Sequence, residues 1–311
     1  MHCSQSDPPS RMSSSAKQVS QLAGFLMHIS FAVRPGSSFV HRLLASAGMP
    51  RIAAGVDLAD RKANPGRRVA LGPEFHGDIK FCRWFVDEGF DAIGGTLSAP
   101  VYHLLERPAQ CTLFSDASTT AVGFFCLETG ACRRYDLYAQ EQSRFFGSDL
   151  SLVTREDDLS VNVLELLGMA VTAWVFVISC AERPSATGDC VLLRGDNEAT
   201  VHWVRRCRRG REPRSGALMR LLGVLEMSSG WHFDATQVQG VHNVAADGIS
   251  RWDRDSVLGT LRAVRPDIPW QVRDLGAVGE SLCSSVLASN SCVTPLQPRL
   301  NALTRGVLVH G

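Results

Sequence analysis

Apolar positions along this chain change their period once. Over residues 16–33 they recur at helical spacing, at Val19, Leu22, Phe25, Leu26 and Ile29, as one face of an amphipathic helix requires. Arg34-Pro35-Gly36 stops that helix, because the residue before a proline avoids helical dihedrals. Ser37 or Ser38 then caps a second helix through Phe39, Leu43 and Leu44. Residues 50–70 read as irregular and basic. A third helix begins near Pro73-Glu74, with proline in the first turn, and carries Phe75, Ile79, Trp84 and Phe85. Residues 16–110 therefore predict a small helical segment. The polar, serine-rich stretch 1–15 predicts disorder.

The texture shifts at Cys111. Residues 111–117, 121–127 and 131–138 read as three strands, with Ser118-Thr119-Thr120 and Glu128-Thr129-Gly130 as the turns of an antiparallel meander. A loop covers 140–155. Asp157 or Asp158 caps a long helix over 159–180, which 184–188 breaks. Cys190 to Arg194 has the apolar run of a buried strand, ending at Gly195-Asp196. Helices follow at 198–206 and 216–227, on either side of a basic loop. Residues 231–238 form a fifth strand and 243–251 a last short helix. The order is βββαβααβα, an α/β fold with a five-stranded mixed sheet flanked by helices. Residues 253–311 have weak periodicity and read as a linker or loosely ordered tail.

Composition narrows the class without choosing a function. The chain has 311 residues, 45% of them hydrophobic, and a net charge of +1, which suits a globular protein. Near-neutrality does not exclude nucleic acid, because binding depends on where charge sits. Ten cysteines show no CxxC and no Cys/His pairing at zinc spacing, so they read as reduced, in an intracellular setting; cytoplasm and nucleus are not distinguished. The longest apolar run, 169–181, is 13 residues, too short to cross a bilayer, so no membrane role is expected. The first 15 residues lack a secretory apolar core.

Four acidic residues carry the candidate chemistry. Asp116 ends an apolar strand and is followed by small residues that leave room for a bulky anion; its plainer role is a turn aspartate. Glu165 sits inside Val161-Asn162-Val163-Leu164-Glu165-Leu166-Leu167-Gly168, where the polar stripe is thin. Asp196 lies at the carboxyl end of a buried strand, where open α/β sheets place functional groups, and also suits a helix N-cap. Asp247 is surrounded by Ala245, Ala246 and Gly248, although a lone exposed helix aspartate is the ordinary reading. Grouped carboxylates repel unless a cation neutralises them. Oxygen ligands without cysteine or histidine suit Mg²⁺ or Mn²⁺, and two such ions clamp the attacking and leaving oxygens of a phosphodiester.

The runs Leu113-Phe114-Ser115-Asp116-Ala117-Ser118, Asn162-Val163-Leu164-Glu165-Leu166, Gly195-Asp196-Asn197 and Asn243-Val244-Ala245-Ala246-Asp247-Gly248-Ile249-Ser250-Arg251 together resemble the ribonuclease H domain of retroelement reverse transcriptases. The last run is closest to the N-x-x-A-D-x-L-S-R ending of gypsy-type and DIRS-type elements. The resemblance covers 111–252. Upstream, Gln21-Leu22-Ala23-Gly24-Phe25-Leu26, Val33-Arg34-Pro35-Gly36 and Leu71-Gly72-Pro73-Glu74-Phe75 with Trp84-Phe85 resemble, more weakly, the thumb and connection region of DIRS-type polyproteins. The polymerase palm and its YxDD-like motif are absent, so the chain is not expected to polymerise.

The resemblance implies a ribonuclease H-like fold and a metal-dependent endoribonuclease that cuts the RNA of an RNA–DNA hybrid. It implies Asp116, Glu165, Asp196 and Asp247 as ligands of two Mg²⁺ or Mn²⁺ ions, and 3′-hydroxyl and 5′-phosphate products. It also implies a polymerase part of a polyprotein as partner. The family often has a histidine about ten positions before the last aspartate. Gln237 stands there, and His242 in the same loop is the substitute, or else an ordinary loop histidine.

Arg205-Arg206-Cys207-Arg208-Arg209-Gly210-Arg211-Glu212-Pro213-Arg214 places six arginines in ten residues, in the loop where cellular ribonucleases H often carry a basic protrusion. Arg205, Arg206, Arg208, Arg209 and Arg211 are thus candidate phosphate contacts, and arginine suits bidentate pairing. The plainer reading is a solvated loop. Asn162 and Asn197 are candidates for reading minor-groove 2′-hydroxyls, or Asn197 simply finishes a turn. The rival function is a catalytically inactive nucleic-acid-binding remnant of the same domain. A second rival is a structural or interaction protein, which has no need for the carboxylate quartet.

Overall fold

The computed structural model describes residues 13–30, 68–71, 108–118, 121–136, 161–179, 189–207, 213–229, 231–251 and 254–274, with single positions at 36, 40, 75, 76, 79, 82 and 83. Elements are numbered in chain order among these residues. The expected helix through Phe39, Leu43 and Leu44, most of the one after Pro73, the 140–155 loop and everything beyond 274 lie outside them.

The chain opens with strand β1 (Ser13–Ser15), helix α1 (Ala16–Ser30) and strand β2 (Arg68–Ala70). Helix α1 starts where it does because Ser15 and Gln18 cap it reciprocally. The Gln18 N–H donates to Ser15 Oγ at 3.2 Å, and the Ser15 N–H donates to Gln18 Oε1 at 3.2 Å. Val19 and Ala23 on its buried face pack with Val40 and Phe75. Ser13–Ser15 pairs antiparallel with Arg68–Ala70, so the expectation of disorder through residue 15 fails at its last three positions. Backbone pairing there needs no apolar side chains, so hydropathy gave no sign of it.

The main sheet holds β3 (Cys111–Ala117), β4 (Ala121–Cys126), β5 (Ala131–Asp136), β6 (Cys190–Gly195), β7 (His232–Gln237) and β8 (Gln271–Asp274). Their order is β7-β6-β3-β4-β5-β8. Strand β4 runs against β3 and β5, while β3–β6, β6–β7 and β5–β8 pair in parallel. The sheet is therefore open and mixed. Period-two alternation along β3 divides its side chains between two cores. Leu113 and Ala117 face helices α2 (Val161–Ser179) and α4 (Pro213–Ser229), within a core that includes Leu167, Trp174, Leu193, Leu221 and Phe233. Phe114 faces the opposite way, toward α5 (Val244–Arg251) and α6 (Arg254–Val264), with Phe125, Ile249, Val257, Leu261 and Trp270. Helix α3 (Glu198–Arg205) adds Val201 and Val204 to the first core. None of the described helices is long and apolar enough to cross a membrane.

Two expectations need correction. The sheet has six strands and not five, and 254–274 is part of the fold and not a loose tail. Phe125 explains both. It stacks on Phe114 with ring centroids 4.7 Å apart and meets Trp270 edge-on at 5.7 Å. Such pairs add about 0.5–1.5 kcal/mol each beyond their buried area. With Ile268, Val257 and Leu261 buried beside it, Trp270 leads the chain onto the β5 edge.

Candidate metal centre

Sheet register brings the first two carboxylates together. Phe114 on β3 pairs with Arg194 on β6 in a parallel ladder. Two residues further on from each, Asp116, still within β3, and Asp196, just past the end of β6, lie at the same end of that ladder. Helix α2 supplies the third. It passes close to β3 at Gly168, where an added Cβ would lie 3.4 Å from Ala117 Cβ and 3.7 Å from the Asp116 carbonyl oxygen. One turn earlier, Glu165 accepts a hydrogen bond from the Ala117 N–H. Carboxylate oxygens of Asp116, Glu165 and Asp196 lie within 4.8 Å of one another. This buried acidic cluster can hold a metal ion.

The cluster is strained electrostatically, as such a site must be. Asp116 is 2% exposed and Glu165 6%. Burial pushes the Glu165 carboxyl up to about 9, and the charges of Asp116 and Asp196 push the same way. Burial also raises Asp116, assisted by Asp247 and Asp196 and opposed by a hydrogen bond from Ser250. Near neutral pH the protonated form of Glu165 is therefore favoured, and a cation in the cluster would favour the ionised one.

Helix α5 supports the cluster from the other face. Ser250 Oγ donates to Asp116 Oδ2 at 2.6 Å and lies 2.9 Å from the Asp247 carbonyl oxygen. Asn243, buried at the start of α5, donates through Nδ2 to the Ser115 carbonyl at 3.2 Å. Asp247 does not join the trio. Its Oδ1 pairs with Arg251 Nε at 2.5 Å, one turn along the same helix, although its charge still reaches Asp116.

Asp196 is not the N-cap of α3. Asn197 takes that role, with its Oδ1 accepting from the Thr200 N–H at 3.0 Å. The cap leaves the Asp196 carboxylate to the cluster. Asn197 Nδ2 also donates to Asn162 Oδ1 at 2.7 Å, so these two expected minor-groove contacts form one half-buried pair beside the site. Gln237 donates through Nε2 to the Asp196 carbonyl at 3.2 Å. The turn Gly240–His242 borders Asp196, since a Cβ on Gly240 would lie 3.3 Å from its Oδ2. His242 ends that turn and is exposed.

Arg205 and Arg206 are exposed at the end of α3, and Arg205 Nε lies 3.7 Å from Asp234 Oδ1. Arg208, Arg209 and Arg211 are outside the described residues. The support from Ser250 and Asn243 escaped the sequence reading as separate roles. Both stand in the run that ends at Arg251, where small residues mark close packing but not direction.

Comparison with known proteins adds no relative: no family model, no curated protein and no solved structure matches the chain.

Proposed function

We propose that this chain is a metal-dependent endoribonuclease of the retroelement ribonuclease H type, cutting the RNA strand of RNA–DNA hybrids. The observation that carries the proposal is the convergence of Asp116, Glu165 and Asp196, from three separate elements, on one buried point. The element order βββαβααβα, the α/β sheet and the motif runs support the same family and a ribonuclease H-like fold.

The donor set fits hard cations. Three carboxylates, two of them raised toward their neutral forms by burial and mutual repulsion, call for external positive charge. All-oxygen ligation suits Mg²⁺ or Mn²⁺ over thiophilic metals. Asp116, Glu165 and Asp196 would hold two such ions, with Asp247 at the margin. When bound, the ions supply neutralisation of phosphate charge and a water acidic enough to act as nucleophile.

The chain's own residues position the reactants. Ser250 fixes the orientation of Asp116. The Asn162–Asn197 pair presents amide groups beside the cluster, suited to 2′-hydroxyls in a wide minor groove. Arg205 and Arg206, with Arg208, Arg209 and Arg211 following in sequence, offer phosphate contacts that hold the duplex without reading its bases. His242, on the turn bordering Asp196, would pass a proton to the departing 3′-oxygen in place of the histidine that Gln237 replaces. Within a polyprotein, the polymerase part would deliver the hybrid.

One observation favours the inactive nucleic-acid-binding alternative. Gln237 holds the position where the family often has histidine, and it is engaged with the Asp196 carbonyl. Cleavage of a labelled hybrid in Mg²⁺ and Mn²⁺, with RNA–RNA and DNA–DNA controls, decides between them. Hybrid-only cleavage that Asp196→Asn abolishes supports the enzyme. Salt-dependent hybrid binding without cleavage, unchanged in Asp196→Asn, supports the remnant. A folded protein that does neither overturns both.

A further inference from the structure

The other end of β3 carries a second cluster that the carboxylate chemistry does not use. Cys111 starts β3 and Cys126 ends β4, with Leu113 paired to Cys126 in the antiparallel register. Cys111 and Cys126 are therefore diagonal neighbours on one face of the sheet. Their Sγ atoms lie 3.3 Å apart, and both residues are buried. Glu128, in the following turn, brings Oε2 to 3.5 Å from Cys126 Sγ. That carboxylate is held in place, because Oε2 accepts the Thr112 N–H at 2.9 Å. One donor atom from each of the three residues lies within 4.8 Å of the others.

We propose that Cys111, Cys126 and Glu128 form a binding site for a thiophilic divalent cation of the zinc class. Tetrahedral zinc with Zn–S near 2.3 Å and Zn–O near 2.0 Å sets its sulfur and oxygen ligands about 3.5 Å apart and two sulfurs about 3.8 Å apart. The Cys126–Glu128 separation already matches, and the two sulfurs need to part by about half an ångström. Cys111 and Cys126 are buried while Glu128 is exposed, so the fourth position opens to water on the Glu128 side. The Thr112 N–H orients the carboxylate, as groups behind a metal ligand commonly do. Bound there, the cation would tie the β4–β5 turn to the start of β3. The site stands five residues along β3 from Asp116, roughly 16 Å, so it does not depend on the ribonuclease proposal.

The test uses the full chain, reduced and stripped of metal, titrated with Co²⁺ in excess Mg²⁺ so that oxygen ligands are already occupied. The expected result is one equivalent of Co²⁺ with intense thiolate-to-cobalt absorption, bleached by Zn²⁺ and absent in Cys126→Ser. Glu128→Gln alters only an exposed residue, should fold normally, and should weaken cobalt binding by at least roughly tenfold, the loss that even an outer partner brings. No thiolate-to-cobalt band, or a band unchanged in both variants, overturns the site. So does a Cys111–Cys126 disulfide that re-forms with oxidised glutathione in protein that takes up no cobalt, which would mark the pair as redox-active instead.

Discussion

Asp116 and Gly123 face each other across β3 and β4. The missing side chain at Gly123 lets α5 lie against the sheet: an added Cβ would meet Ser250 N at 2.4 Å, Ala246 O at 2.7 Å and Ile249 C at 2.8 Å. All three contacts are backbone, which cannot turn aside. The glycine opposite the cluster's buried aspartate thus sets the height at which Ser250 reaches it.

Gly123→Ala should therefore push α5 outward. The expected cost is about 1–3 kcal/mol from overpacking, read as a lower urea midpoint. Mg²⁺ affinity should fall with it, because the Ser250–Asp116 hydrogen bond lengthens. Unchanged stability would show that α5 is not seated by this contact.

Ser250→Ala removes the hydrogen bond without moving the helix. Asp116 then loses the group that favours its charged form, so its pKa rises further. Carbon-detected NMR titration of the Asp116 carboxyl should show the increase in metal-free protein. Isothermal titration should show weaker Mg²⁺ binding.

Glu165 should make the metal-free protein lose stability as pH rises. Below the unfolded value of 4.5 both states hold the proton, and above about 9 neither does. Between them the unfolded chain releases the proton while the folded chain retains it. Rising pH therefore favours unfolding, by a few kcal/mol in total across that window. Urea midpoints in EDTA from pH 5 to 9 should decline, and Glu165→Gln should flatten the decline. If the cluster holds a cation as proposed, saturating Mg²⁺ should flatten the decline as well, because a bound cation would favour the ionised carboxylate in the folded state.

Asn197→Ala should cost about 0.5–2 kcal/mol as a lost N-cap. Asn197→Ser keeps a capping oxygen and should recover most of that stability. It cannot restore the amide bonded to Asn162, so under the ribonuclease proposal hybrid binding stays weaker in both variants. Recovery of binding by serine would assign Asn197 to the helix alone.

Trp270→Ala should destabilise by about 3–5 kcal/mol, in the range for burying and then deleting a large aromatic. A chain stopped at residue 252 should lose at least as much, because Phe114, Phe125 and Cys132 lose their cover. Chemical denaturation of both variants checks whether 254–274 belongs to the domain. Full-length stability in the shortened chain would restore the reading of that segment as a tail.

Period and turn chemistry made most elements legible without coordinates. The strands at 111–117, 190–195 and 232–237 and the helix at 161–179 lie within a few residues of where alternation, apolar runs and breakers put them. Those signals are local, and backbone geometry makes them so. The sequence also marked Asp116, Glu165 and Asp196, because each carboxylate ends or interrupts an apolar element. It carried no sign that Asp247 would pair with Arg251, or that Asn197 and not Asp196 would cap α3. Each outcome turns on which of two adjacent polar groups has the shorter path to a partner, and hydropathy does not encode that. Strand β8 was equally hidden, since its place depends on an aromatic platform built more than 140 residues earlier by Phe114 and Phe125. The meeting of Cys111, Cys126 and Glu128 rests on strand register, which only the folded sheet decides. Local pattern chose the elements; pairing across the sheet chose which side chains meet.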